Sequence, residues 1–410
     1  MSFVNEVRVK YADSGAIDAF NRLRVSDPYT VFDCKQLYSK DTNKIVWDEV
    51  TNGVGALSSH NATNAAVAMS VASNNEYVIR QTKMRFNYQP GKSQLYFLTG
   101  VISQEADVVK RFGCFHSGTV APYAPVNGIY LENDGTDVSL NIVKNGVINK
   151  VAQSNWNVDT MDGNGPTKIN LNFSKAQIFI VDFEWLGVGR VRCGFVVDGI
   201  AYYCHYFNHA NSVTSVYMST PNLPIRYEIR SAGGTGSMQH ICSAVMSEGG
   251  LNPSGYSHAV TTGTTPISVS NVGNGEALLG IRLKSTHAGV TISPKSLNII
   301  TTDNAAFRWY VTFNPTLGGT SPTWTSFASH SGVEYAIAVG DNVVSNIGSV
   351  LLEGWSGGSS AGMGNVIELS SLLKLGLSIA GVADTLWVCA QPITGPAKNF
   401  HASLGWAELA

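Results

Sequence analysis

From about Ile45 to Gly249 the apolar positions come in short runs with a period near two, divided by Gly, Asn, Asp and Pro. "YVIRQTKMRFNY", "QLYFLTGVIS", "VNGIYLEND", "VSLNIVKN", "QIFIVDFEWLG", "RVRCGFVV", "IAYYCHYF" and "IRYEIRS" are rich in Val, Ile, Tyr and Phe, which suits a pleated, half-buried surface. Helical periodicity is nearly missing, apart from a turn or two in "IDAFNRL" that "SDP" stops, because the residue before a proline is pushed out of the helical region. A strand with one apolar face has to bury it against a second sheet. The fold class this predicts is all-β, a jelly-roll-like sandwich.

After "SEGGLNPSGYSHAVTTGTTP" the texture turns to Ser, Thr, Gly and Asn, and "ALLGIRLKS", "FRWYVTFNP", "SVLLEGWSGG", "TLWVCAQPI" and "ASLGWAEL" follow as a second set of strands. The expected organisation is an N-terminal arm at 1–44, a jelly-roll-like sandwich at 45–249, a linker at 250–265 and a C-terminal β-sandwich at 266–410.

One hairpin can be read residue by residue. With Asp198-Gly199 as a two-residue type I′ turn, Val197 faces Ile200, Phe195 faces Tyr202 and Cys193 faces Cys204. Those six are expected on the core face, with Arg192, Gly194, Val196, Ala201, Tyr203 and His205 on a more polar, partly exposed one. Cys193 and Cys204 would then form a hydrogen-bonded pair with Cα atoms about 5.5 Å apart, where a disulfide is sterically possible but disfavoured.

Composition narrows the function. Only 14% of the 410 residues are charged, against about a quarter in ordinary soluble domains, so neutral polar groups must wet the surface. A formal net charge of -2 provides no field to draw in nucleic acid or an anionic membrane, and neither is an expected partner. No export signal and no long apolar span is read, so a soluble chain is expected. The six cysteines form no CxxC pair, so reduced, mostly buried thiols are expected and no metal or other cofactor.

Asp182 and Glu184 lie two apart in "QIFIVDFEWLG", which on a strand puts both carboxyls on one face about 6.6 Å apart, beside Trp185. Paired carboxylates are the machinery of glycoside hydrolysis. The stretch resembles the E-x-D-x-E-hydrophobic-L-G strand of the concanavalin-like retaining β-glucanases. That resemblance places Ile180 where the nucleophilic Glu would be, and so implies a dead site or a glycan-binding groove at Asp182, Glu184 and Trp185. The plainer reading is the polar face of an ordinary strand.

The other motifs read as structure. His205 and His209 would be about 13 Å apart on a strand, too far to share an ion, and are expected at the surface. "ENDGTD" and "VDTMDGNG" look like calcium loops, but the first is more economically a hairpin turn and the second lacks the ligand order. No nucleophile elbow or phosphate loop sits in usable context, so no catalytic residue is assigned. The eight tryptophans are expected mostly in the core, although one exposed beside polar loops would suit a sugar.

The strongest likeness lies in the arm. "AIDAFNRLRVSDPYTVFDCKQLY" resembles the "AFGRLRVSxPxTLFDSKQ" opening of uncharacterised virion structural proteins of tailed bacteriophages and large DNA viruses, with Asn21 and Cys34 departing from the pattern. "WLGVGRVRCGFVVDGIAYYCHYF" and "IRLKS … RWYVTFNP … LGWAEL" are similar to the same group. The resemblance implies a non-enzymatic capsid, vertex, decoration, tail or fibre component located in the virion. Its expected partners are other virion proteins and further copies of itself, a trimer being one arrangement, with a host surface glycan as the alternative. The arm would order on assembly, through Phe20, Leu23, Val25, Tyr29, Val31 and Phe32. Those six could instead pack on their own sandwich.

Overall fold

The computed structural model describes residues 17–23, 28–250, 255–338, 342–357, 367–368 and 374–409. The chain forms two compact units. The first contains β1 (Tyr29–Lys35), β2 (Trp47–Asn52), β3 (Leu57–Asn61), β4 (Ala66–Val71), β5 (Tyr77–Thr82), β6 (Gln94–Val101), β7 (Val108–Ser117) and β8 (Pro125–Asn133). It continues with β9 (Val138–Lys144), β10 (Val147–Ala152), β11 (Gln177–Phe183), β12 (Val191–Val197), β13 (Ile200–Phe207), β14 (Ile225–Ser231) and β15 (Gly236–Ser247). An eight-stranded sheet runs β13-β12-β11-β6-β15-β4-β3, with β1 added on β15, and a seven-stranded sheet runs β10-β9-β8-β7-β14-β5-β2.

The two sheets face each other through rings. Phe112 of β7 meets Phe179 of β11 edge-on at 5.7 Å and stacks on Tyr227 of β14 at 5.4 Å. The Tyr227 hydroxyl reaches across to the Cys242 carbonyl oxygen of β15 at 3.2 Å. This is the expected all-β sandwich, its inner faces apolar because period two delivers every second residue there.

The second sheet also carries a charge ladder. Arg111 bonds Glu132 of β8 on one side and Glu228 of β14 on the other, while Lys150 of β10 reaches Glu132 at 2.8 Å. Glu228, with no exposed surface, also takes Arg226 at 2.8 Å and Arg230 at 3.1 Å. In a chain this poor in charge, much of the charge is therefore spent internally.

The C-terminal unit contains β16 (Tyr256–Thr261), β17 (Ile267–Val269), β18 (Glu276–Leu283), β19 (Thr291–Thr301), β20 (Phe307–Phe313), β21 (Thr316–Leu317) and β22 (Thr325–Ser326). Then follow β23 (Val333–Ile337), β24 (Val344–Asn346), β25 (Ser349–Ser356), β26 (Ile367–Glu368), β27 (Thr385–Pro392) and β28 (Lys398–Leu409). A sheet ordered β16-β28-β19-β26, with β17 on β28, and another ordered β22-β23-β18-β27-β20-β25 enclose one core that includes Trp406, Leu404, Ile299, Trp309, Val311 and Val388.

Three expectations about organisation change. The stretch expected as a linker, 250–265, holds β16, which pairs with β28. Residues 43–48 and 82–87 belong with the C-terminal unit, so the boundary is discontinuous in sequence. The expected arm is not separate in its described part: β1 pairs antiparallel with β15, and residues 17–23 fold onto the first unit. The unpaired edge of β15 beyond β4 explains this, since a row of free backbone groups there takes up another strand.

The hairpin follows the predicted register at its tip, where Val197 faces Ile200 and Phe195 faces Tyr202, with positive φ at Asp198 (52°) and Gly199 (79°). Beyond Gly194 a bulge shifts the pairing, so Cys193 faces His205 and Cys204 is the extra residue. Both are free thiols. The predicted exposure changes too. Arg192, Tyr203 and His205 are buried, whereas Ile200 is 56% exposed because the hairpin tip runs past the last β11 pairing, Ile178 with Val196.

Candidate functional site

The acidic strand is where sequence reasoning placed its chemistry, and its neighbours decide what that chemistry is. The turn between β11 and β12 sets Asp182 opposite Arg192, and β6 flanks Asp182 on its other side at Leu95. Both side chains have no exposed surface, and they form a salt bridge. Asp182 also accepts from the Ser93 hydroxyl and, at 2.9 Å, from the Tyr203 hydroxyl. The Arg192 guanidinium lies 4.4 Å over the Tyr203 ring. Around this pair the outer face of the sheet is apolar, with Leu95, Ile180 and Tyr203 buried among Phe97, Val196 and Tyr206.

Arg192 has a further task. It donates to the carbonyl oxygen of Ile17, so the N-terminal segment is tied to the acidic strand. That segment is a tight turn: Ile17 bridges to Leu23, Asn21 takes a positive φ of 66°, and Asp18 accepts from the backbone of Phe20 and Arg22 at 2.9 Å each. The Arg22 side chain closes on Asp18 at 2.8 Å and lies 4.8 Å over the Phe20 ring. Burial would raise the Asp18 carboxyl, but the Arg22 hydrogen bonds and charge outweigh it and hold the group below the usual carboxylate range.

Glu184 falls just past the end of β11, in the turn. It is 8% exposed, and one carboxylate oxygen accepts from the Arg190 amide at 3.1 Å. The other has no partner among the described residues. Burial therefore pushes this carboxyl above its ordinary value, against the pull of the Arg190 amide. Trp185 is half-buried, donates its indole N–H to the Met218 carbonyl at 3.0 Å and meets Tyr88 edge-on at 6.5 Å.

These positions do not make the acid and nucleophile pair of a glycosidase. Ile180 is buried where the nucleophile would stand, and both Asp182 oxygens are consumed by internal donors. Nor do Asp182, Glu184 and Trp185 line one open groove, because Asp182 has no surface to offer a sugar. Sequence reasoning missed Arg192, Tyr203, Ser93 and Asp18. A second turn, counted across "WLGVGR", would have set Asp182 against Arg192.

The remaining sequence candidates are distributed as follows. Val25 lies outside the described residues. Phe20, Val31 and Phe32 are half-buried, with Val31 at a bulge between Thr30 and Phe32, while Leu23 (44%) and Tyr29 (49%) are exposed. His205 and His209, expected at the surface, are buried instead. His205 packs edge-on to Phe207 at 4.4 Å and accepts from the Asn157 amide, and burial lowers its pKa to about 4; His209 stacks on Tyr217 at 4.2 Å. "ENDGTD" is the hairpin turn between β8 and β9, with Asp134 accepting from the amides of Thr136 and Asp137. Of the tryptophans, Trp47, Trp156, Trp309, Trp387 and Trp406 are buried, whereas Trp355 is 66% exposed on β25.

No protein-family model matches the chain, and a search of the curated proteins finds no match. Among solved structures, a Bacillus licheniformis β-glucanase is 13% identical, covers 54% of this chain and 99% of its own, and aligns with a TM-score of 0.35. The carbohydrate recognition domain of Emp47p is 11% identical, with 54% and 97% covered and a TM-score of 0.33. A legume lectin-like domain from Entamoeba histolytica is 12% identical over 54% and 97%, at 0.31. The all-β sandwich architecture of the chain stands on its own strand pairing.

Proposed function

We propose that this chain is a non-enzymatic structural component of a virus particle, a capsid, vertex, decoration, tail or fibre protein. On this reading it is made in the host cytoplasm and assembles with other virion proteins and with copies of itself. The observation that carries the reading is the fate of the acidic strand: Asp182 is spent on Arg192, Ser93 and Tyr203, and Arg192 is spent on the N-terminal segment. A motif that resembles catalytic machinery thus serves to hold the fold. The virion-protein resemblance of the same N-terminal segment and the low surface charge support it, since surface that will be covered by neighbours needs few solvating charges. Leu23 and Tyr29, which stay exposed on that segment, are the residues proposed to touch a neighbour.

Quantitative peptide mass spectrometry on density-purified particles from the source tests this. Many copies per particle would place the protein in a shell or repeated decoration, and a few at a vertex, tail or fibre. Its absence from particles refutes the proposal.

A further inference from the structure

Away from the acidic strand, four turns of the first unit enclose a cleft of about 860 Å³. They are the β6–β7 connection with Gln104, the β8–β9 turn with Asn133 and Asp137, the short 3-10 turn with Gln153 and Ser154, and the loop before β11 with Asp162, Asn170 and Phe173. That volume falls in the roughly 300–1,000 Å³ range of small-ligand sites, but the lining is unlike the mostly apolar lining common there. It consists mainly of amides and hydroxyls, with two carboxylates and no Lys or Arg.

Several of these side chains are fixed before any ligand arrives. Asn133, 1% exposed, donates to the Ile102 carbonyl at 2.8 Å and accepts from the Gly135 amide at 3.1 Å. Gln153 donates to the carbonyls of Thr160 and Met161 at 2.9 and 3.2 Å, and Gln104 donates to the Gly135 carbonyl at 3.2 Å. Each Gln amide nitrogen is thereby held by backbone while its oxygen takes no partner among the described residues. Phe173 is held edge-on against Phe195 at 6.0 Å and stays half-exposed.

We propose that this cleft binds a short neutral oligosaccharide. Sugar hydroxyls are donors and acceptors at once, which is what amide oxygens, hydroxyls and carboxylates together can satisfy, and the Phe173 ring offers an apolar surface to the C–H side of a pyranose. Asp137 and Asp162, with no Lys or Arg among the lining residues, disfavour phosphate, sulfate and sialic acid. Pre-fixed amides reduce the ordering cost of binding. This site is distinct from Asp182, Glu184 and Trp185, and the inference does not rest on the particle reading; a protein absent from particles leaves it open to the same test.

The test is binding of the full chain to immobilised fragments of β-glucan, mannan and galactan, with sulfated and sialylated glycans alongside. Calorimetric titration with the best neutral binder follows, for the wild type, Ser154→Trp, which fills the cleft, and Asn170→Ala. Both substituted positions are exposed and their side chains have no hydrogen-bond partner among the described residues, so melting temperatures are expected to stay unchanged. The expected result is binding of at least one neutral glycan, weakened about tenfold or more by each substitution. Binding to none of the neutral glycans, preference for the anionic ones, or affinity unchanged in both variants would each overturn the proposal. So would loss of binding on Trp355→Ala with the cleft variants intact.

Discussion

Arg192→Met is the substitution that most directly tests how the first unit is held. It takes the Arg192 charge from the Asp182 carboxylate, which is left among Leu95, Ile180 and Tyr203 with the hydroxyls of Ser93 and Tyr203, and it removes the Arg192 bond to the Ile17 carbonyl. Removing one partner of a fully buried ion pair costs about 3–5 kcal/mol. At about 1.4 kcal/mol per tenfold, that is a loss of roughly two to nearly four orders of magnitude in the folding equilibrium. The double variant Asp182→Leu with Arg192→Met removes both charges and should be less destabilising than the summed single effects by about 2 kcal/mol or more, since an apolar pair needs no countercharge. Urea unfolding supplies the free energies, and hydrogen exchange at the amides of β11 and β12 assigns the loss to this sheet. A cost below about 1 kcal/mol for Arg192→Met, or strict additivity in the double variant, would refute the account of Asp182 and Arg192 as a buried, mutually dependent pair.

Other expectations follow from the same structure. Glu184, whose folded pKa is raised by burial, opposes folding once ionised; Glu184→Gln should therefore stabilise the protein at neutral pH, with the gain shrinking as pH falls through the ordinary carboxylate range, read from melting temperature against pH. For Glu228 burial alone would raise the carboxyl, but Arg226, Arg230 and Arg111 hold it well below the usual value, so its contribution is present above the unfolded carboxyl pKa and lost as pH falls through the folded one. Glu228→Gln should cost about 3–5 kcal/mol near neutrality and progressively less in strong acid; a cost independent of pH would contradict this. Trp355→Ala should change stability by no more than about 0.5 kcal/mol, while Trp406→Ala, which empties the C-terminal core, should cost about 3–5 kcal/mol in the same denaturation assay.

The two sandwiches were legible because period-two alternation, turn residues and the shortage of helical pattern all point the same way. The Asp198-Gly199 turn carried its register as far as Gly194 and no further, because a bulge leaves no mark that a count from the turn can detect. Burial on the outer face was illegible for a related reason. Alternation marks Arg192 and Tyr203 as outward, and they are, but outward is exposed only if nothing lies above, and here the cover includes a segment some 175 residues earlier in the chain. The same distance hid the partner of Asp182: "VDFEW" looks like two carboxylates facing water until Arg192 and Ile17 are brought to it. The arm was legible as a distinct sequence, but its strand partner was not, since nothing local to Tyr29–Lys35 reports that β15 has an edge to fill.

The pairing of β1 with β15 also sets a schedule for biosynthesis. Tyr29 is matched to Ser247 and Lys35 to Cys242, so β1 has to wait for a partner made more than two hundred residues later. At about 5–20 residues per second, the N-terminal strand is out of the ribosome's hands for roughly 10–40 s with its edge unpaired. During that interval any complementary edge, including that of another nascent copy on the same message, competes for it. Pairing between strands so far apart in the chain therefore makes crowding on the polysome, rather than the stability of the finished protein, the setting in which wrong pairings between copies would arise.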